Sequence, residues 1–323
     1  MPRLGVLGTM VWDRIEARDG SVQVAEEWGG IAYALAAAAA ARPEGWEIVP
    51  IVKVGSDLGE QAFHYLRTLP GVDVEPGVRL VPEPNNRVDL RYHDLERRCE
   101  RLRGGVPPWT GEELAPIVRE LDALYVNFIS GFEMGLDTAI ALRAAYRGPL
   151  YADLHSIFLG IESTGLRVPR PLPRWADWLR CFDFVQVNEE ELALLSTAWS
   201  DPWRFAADVV GPDLRVLFVT MGSDGACYVA AGGVRAAPLP VLREERVVSP
   251  EVVISRKVDP PEGPIVGDPT GCGDVWGATC FCTLLGGGSL DDAVRAAVRA
   301  AAINVRHRGV TGLHARLRGR LDA

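Results

Sequence analysis

A carboxylate stands at the mouth of a glycine-rich turn in this chain. In Gly267-Asp268-Pro269-Thr270-Gly271-Cys272-Gly273-Asp274 a proline and glycines break regular structure, and the apolar run that follows predicts a helix over 275–285. The backbone N–H groups of Gly271, Cys272 and Gly273 would lie at the start of that helix, and their small side chains leave the path open to an oxyanion. A helix N-terminus favours negative charge by roughly 0.3–1 kcal/mol when exposed. Asp274 therefore has two readings. It can cap the helix, as Asp commonly does, or it can take a proton from an alcohol while the amides hold a migrating phosphoryl group.

Other polar residues stand where apolar runs end. Asp13 closes Gly8-Thr9-Met10-Val11-Trp12-Asp13, and a carboxylate can accept two hydroxyl protons at once. Gly29-Gly30 heads an alanine-rich run that includes Tyr33, and paired glycines let the backbone approach a ligand. Gly55 and Asp57 predict a turn and a helix cap. Asp153 and His155 end another run, though a lone His is more often structural. Three acids in Asn188-Glu189-Glu190-Glu191 would complement a helix dipole without any ligand. Thr220-Met221-Gly222-Ser223-Asp224-Gly225 is a turn whose Gly222 and Gly225 amides could meet a phosphate. No P-loop motif occurs, and the first glycine turn lacks the dinucleotide-binding spacing.

Together these motifs resemble, in order, those of the ribokinase-like (PfkB) carbohydrate kinases. The resemblance runs from Gly8 to Gly309 and implies a three-layer α/β/α fold with a mostly parallel central sheet and a small β lid. It implies Asp274 as general base, the Gly271–Gly273 amides as anion hole, and ATP phosphates on Thr220, Gly222 and Gly225. Asn304 and Gly309 would wall the adenine. Asn188 and Glu191 would help hold Mg2+, largely through water, and Asp268 is the candidate ligand for a monovalent cation such as K+. Asp13, Gly29, Gly30, Tyr33, Gly55 and Asp153 would face a small-molecule substrate. The chain departs from the pattern at Pro269, Cys272, Ala34 and after Asp153, where an Asn and an Arg are absent. Those departures weaken ribose or fructose as substrate and leave three readings. They are a sugar, polyol or inositol kinase, a nucleoside kinase, and a non-catalytic ligand-binding protein.

Positioning these residues calls for alternating elements. Apolar runs predict strands over 4–7, 48–54, 123–129, 150–154, 184–187 and 216–220. Helical patterns fall over 31–41, 58–69, 136–146, 189–196, 203–210, 275–285 and 290–307. Such alternation implies a largely parallel sheet covered on both faces, in one domain spanning 1–323. Segments 14–27 and 87–103 are polar and alternating, which predicts a small antiparallel sheet solvated on one face. The family resemblance makes it a lid, often used in dimerisation; plain surface hairpins are the alternative. Residues 237–263 are longer than the family pattern, with an extra hairpin predicted over 244–257 near the nucleotide side. A net charge of −9 argues against nucleic acid, and scattered cysteines suit a reducing cytoplasm. The start carries no signal-peptide pattern, and the most apolar stretch, 31–41, is too short to span a bilayer.

Overall fold

The apolar runs become the strands of one nine-stranded sheet in the computed structural model, which describes residues 1–16, 25–92, 98–232, 234, 249–260 and 265–320. Numbered along the chain, its strands are β1 (Arg3–Leu7), β4 (Glu47–Gly55), β5 (Val78–Val81), β8 (Ala123–Asn127) and β9 (Leu150–Asp153). They continue with β12 (Phe184–Asn188), β13 (Val216–Thr220), β14 (Ala226–Gly232) and β15 (Ser249–Val258). The spatial order is β15-β14-β13-β12-β9-β8-β1-β4-β5. From β13 to β5 every pairing is parallel, while β14 and β15 add an antiparallel edge.

Helices cover both faces, as near-continuous apolar strands require. One side carries α1 (Ile31–Ala41), α2 (Gly59–Thr68), α8 (Cys272–Leu285), α9 (Leu290–Val305) and α10 (Leu313–Leu317), packed in one core cluster. The other carries α3 (Gly111–Val118), α4 (Leu136–Ala145), α5 (Trp175–Arg180), α6 (Glu189–Leu195) and α7 (Pro202–Val209). In α1, residues Ile31 to Ala39 are all buried, and its alanines let it lie close against α8. No helix among the described residues is long and apolar enough to cross a membrane.

A second sheet has the order β3-β2-β6-β7, with β2 Met10–Glu16, β3 Ala25–Gly30, β6 Arg87–Tyr92 and β7 Arg98–Arg103. It begins earlier than the expected 14–27, and it is mixed rather than antiparallel. Its central pair, β2 and β6, is parallel, with Asp13 opposite Val88. The reason is topological: β2 continues from β1 and β6 from β5, two strands that point the same way, so both leave the body in one direction. The hairpin β10 (Leu159–Ile161) and β11 (Arg167–Pro169) was not expected, and it docks on β7 through Leu102 N–H to Gly165 O, 3.0 Å. In the extra segment, Ser249–Val258 is the edge strand β15. The first part of the hairpin expected over 244–257, and the tips of both lid excursions, lie outside the described residues.

Candidate active site

The strand order turns back on itself between β8 and β1, and a crevice at the carboxyl ends of parallel strands is where such sheets bind ligands. The α8 helix opens into that crevice. It begins three residues earlier than predicted, because Gly271 takes a left-handed φ of 74° and caps it. A Cβ at Gly271 would lie 2.3 Å from the Tyr33 ring of α1, so turn and ring are packed face to face. Asp274 sits in the first turn of α8. It lines an open cleft shared with Asp13, Gly30, Tyr33, Glu100, His155, Arg167, Thr270 and Gly271.

The lid supplies the opposite wall by strand periodicity. Val11 and Asp13, two apart on β2, face the cleft together with Val88 of β6. Trp12, between them, points the other way and meets Trp28 edge-on at 5.0 Å. Asp13 is therefore a lid-strand residue. Its carboxylate fills the place of a missing side chain, since a Cβ at Gly29 would lie 1.7 Å from Asp13 Oδ2.

Three buried polar side chains brace the turn from below. Asn127, at the end of β8, donates Nδ2–H to Asp274 Oδ1 at 2.7 Å. Gln186 of β12 donates to both Gly273 O and Asp153 Oδ2 at 3.0 Å, and accepts from the Tyr151 hydroxyl at 2.9 Å. Asn304 of α9 donates to Thr270 O at 2.8 Å and to Cys272 Sγ at 3.3 Å. Neither Asn127 nor Gln186 was singled out by sequence reasoning. The available signal was a polar residue within an otherwise apolar strand, which needs a partner when buried. Glu100 and Arg167 were missed too. Arg167 of β11 ties Glu100 of the lid (3.5 Å) to the carbonyls of Ile129 (3.0 Å) and Ser130 (3.2 Å).

Electrostatics follow from crowded acids. Burial, then Glu191 and Asp274, push the Asp153 carboxyl up to about 8, although His155 opposes this. Burial works against a charged His155, but Glu191, whose Oε1 lies 2.6 Å from Nδ1, outweighs it and holds the imidazole at about 9. Burial, then Glu27 and Asp13, push the Tyr33 hydroxyl well above its ordinary range.

The expected residues divide into two groups. Asp274, Asp13, Gly30, Tyr33 and Gly271 line the cleft; Gly29 shapes it through Asp13. Asp153 is buried beneath Gly273 rather than in the lining. Gly55 donates to Asn85 Oδ1 (3.0 Å) and belongs to the lid root, away from the cleft lining. Of the three loop amides, that of Cys272 turns back to Pro269 O at 3.1 Å, leaving those of Gly271 and Gly273 without an acceptor among the described residues. At the other turn Gly222 is exposed, φ 54°, with nothing within 4 Å of where a Cβ would go. Gly225 is packed on Val258 O, and Thr220 Oγ1 reaches only Val187 O at 3.5 Å. Gly309 makes room for Glu27 of the lid.

The residues expected to hold ions are engaged elsewhere. Glu191 is buried; its Oε2 accepts from Asn188 N (2.9 Å) and its Oε1 from Asn188 Nδ2 (2.9 Å), in a capping box at the head of α6. Asp268 Oδ1 accepts from Thr270 N at 2.9 Å and shapes the turn. No group of three acidic, His or Cys side chains among the described residues could hold a metal.

No family model matches the chain, and no curated protein matches it. Solved structures do. A sulfate complex of a pyrophosphate-dependent kinase in the ribokinase family superposes with a TM-score of 0.72 at 19% identity, covering 95% of this chain and 96% of that one. The chain has the ribokinase-like fold. Ribokinase from Thermotoga maritima matches at 0.71 and 16% identity, over 99% of both chains. A nucleoside kinase from Burkholderia thailandensis in complex with inosine matches at 0.70 and 18%, over 98% of this chain and 97% of that one. At such identities the likeness is one of architecture: a ribokinase-like sheet, its two helical layers and its lid.

Proposed function

We propose that this ribokinase-like chain is an ATP- and magnesium-dependent kinase that phosphorylates a hydroxyl of a small sugar, polyol or inositol-like molecule. The observation that carries the reading is Asp274 at the head of a 14-residue helix, inside the cleft that also holds Asp13. Phosphoryl transfer asks a protein mainly for positioning and charge stabilisation. Asp274 would accept the acceptor hydroxyl's proton as its oxygen attacks phosphorus, and Asp13 would hold neighbouring hydroxyls. The amides of Gly271 and Gly273, at the positive end of α8, would meet the charge on the phosphoryl oxygens. Cys272 contributes its backbone shape rather than its amide. The open Gly222 turn is the natural seat for donor phosphates. Magnesium would supply charge neutralisation on those phosphates; with Glu191 capping α6, no protein ligand and no step is assigned to it. Asp268, which braces its own loop, is likewise given no monovalent cation.

Two other readings fit less well. A nucleoside acceptor calls for aromatic stacking, yet among the described residues Tyr33 is the aromatic of the cleft lining and its ring is packed on Gly271. A non-catalytic binding role leaves the placement of Asp274 and Asp13 in one cleft without a purpose. The test is donor consumption, with ATP and with pyrophosphate, across sugars, inositols and nucleosides. Asp274→Asn is expected to lower turnover by about 10²–10⁴ without changing the melting temperature greatly. Wild-type turnover in that variant, or no phosphorylated product from the wild-type chain, would remove the reading.

A further inference from the structure

We infer that Asn127 is a positioning residue that aims the Asp274 carboxylate without neutralising it. The inference rests on the kinase reading above and adds to it a residue from a different element. Asn127 is fully buried at the last position of β8, where the backbone is fixed by Phe128 N–H to Asp153 O (3.0 Å) and Ile129 N–H to Asn127 O (3.1 Å). From there Nδ2 lies 2.7 Å from Asp274 Oδ1 and 3.4 Å from the Tyr125 hydroxyl. The other end of the same amide, Oδ1, is buried with no hydrogen-bond partner.

That pattern has a direction. A buried amide carbonyl without a donor is costly. Flipping the amide would only press its oxygen's lone pairs against those of a carboxylate. The amide is therefore oriented by Asp274, and it fixes in return one carboxyl oxygen and the plane of the group. Its neutrality matters as much as its place. An Arg or Lys at this distance would lower the carboxyl's basicity by about 1–3 units, which would spoil a general base; a neutral donor orients the group at a smaller cost in basicity and adds no charge. Among the described residues, the titratable groups coupled to Asp274 include Tyr33 of α1, Tyr125 of β8 and Asp153 of β9. Asp13, Glu100, His155 and Arg167 line the same cleft. Asn127 donates directly to the Asp274 carboxyl, and it is uncharged.

The test compares Asn127→Leu, which keeps the volume and removes the donor, with Asn127→Asp, which turns the donor into an acceptor. With wild-type turnover in hand, both variants should lose at least about tenfold in kcat while KM for donor and acceptor stays within about twofold, the mark of an interaction acting on the reacting step. The acid limb of the kcat profile should rise by roughly one pH unit in Asn127→Leu, because a hydrogen bond to the charged carboxyl is gone, and further in Asn127→Asp, where two carboxylates face each other. Unchanged kcat and an unmoved acid limb in both variants overturn the inference. Should the wild-type chain phosphorylate nothing, the kinase reading fails separately. A carbon-13 titration of the Asp274 side chain then decides this contact: a midpoint higher in Asn127→Leu than in wild type upholds it, and equal midpoints end it.

Discussion

At the scale of single residues, the turn before α8 sets two side chains in sharp contrast. Gly271 is constrained twice, by a φ of 74° and by the Tyr33 ring 2.3 Å from where a Cβ would be. A left-handed backbone costs an ordinary residue roughly 1–2 kcal/mol, and the ring, buried in α1, has little room to retreat. Gly271→Ala is therefore expected to lower kcat at least about 100-fold, since small displacements of reacting groups are that costly, and to lower the melting temperature as well. Its neighbour behaves differently. Cys272 Sγ meets Asn304 Nδ2 at 3.3 Å and Ala301 O at 3.6 Å, and its amide faces Pro269. Cys272→Ala should keep turnover within about threefold, because the lost contacts are weak ones. Steady-state rates of the two variants side by side check both statements, and a collapse in the second would make the thiol a participant.

At the scale of elements, the proposed kinase reading makes the lid the part that would hold an acceptor. The pairing of β2 with β3 places Gly29 opposite Val11 and against the Asp13 carboxylate. No unusual backbone angle requires glycine there; only the 1.7 Å approach to Asp13 Oδ2 does. Gly29→Ala should push Asp13 aside and raise KM for the acceptor at least about tenfold, as loss of a hydroxyl-binding carboxylate implies, with KM for the donor unmoved. Parallel changes in both constants would show that the lid as a whole had shifted. These are also the elements where reading the sequence had uneven success. Near-continuous apolar runs such as 48–54 gave main-sheet strands within a residue or two of Glu47–Gly55, because both faces are buried and the pattern is dense. Motif order led to Asp274, Asp13, Gly30 and Tyr33 in one cleft. What it could not give was pairing between distant segments: β2 with β6, or the β10–β11 hairpin that delivers Arg167 to Glu100. Nor did a glycine motif reveal which glycines are open and which are filled. Gly222 has space around it, whereas Gly55, Gly225 and Gly309 are occupied by Asn85, Val258 and Glu27. Those distinctions belong to tertiary packing.

At the scale of the whole molecule, the strand ends that build the site also tie its stability to pH. Asp153 ends β9 beneath the Gly271–Gly273 turn and His155 follows it, and both hold protons in the folded chain more tightly than in an unfolded one. For Asp153 the ordinary value of 3.8 becomes about 8, through burial first and then Glu191 and Asp274. For His155 burial pulls downward, yet Glu191 carries 6.5 up to about 9. Between its unfolded and folded values each group binds more protons when folded, so unfolding stability must fall as pH rises through that interval. The contribution of Asp153 is complete below about 3.8 and that of His155 below about 6.5; both are lost by about pH 9. The imidazole is 40% exposed, so solvent screens its share and the buried carboxyl should weigh more. Melting temperature is accordingly expected to decline from about pH 6 to about pH 9. Asp153→Asn, which keeps a neutral side chain over the whole range and can still accept from Gln186, should flatten that decline more than His155→Gln does. A melting temperature that climbs across the same range in the wild-type chain, or an equal slope in Asp153→Asn, would mean that the carboxyl is ionised at neutral pH. Asp153 would then stand under the loop as a second negative charge opposing phosphate there, and its burial would need a cation to hold it.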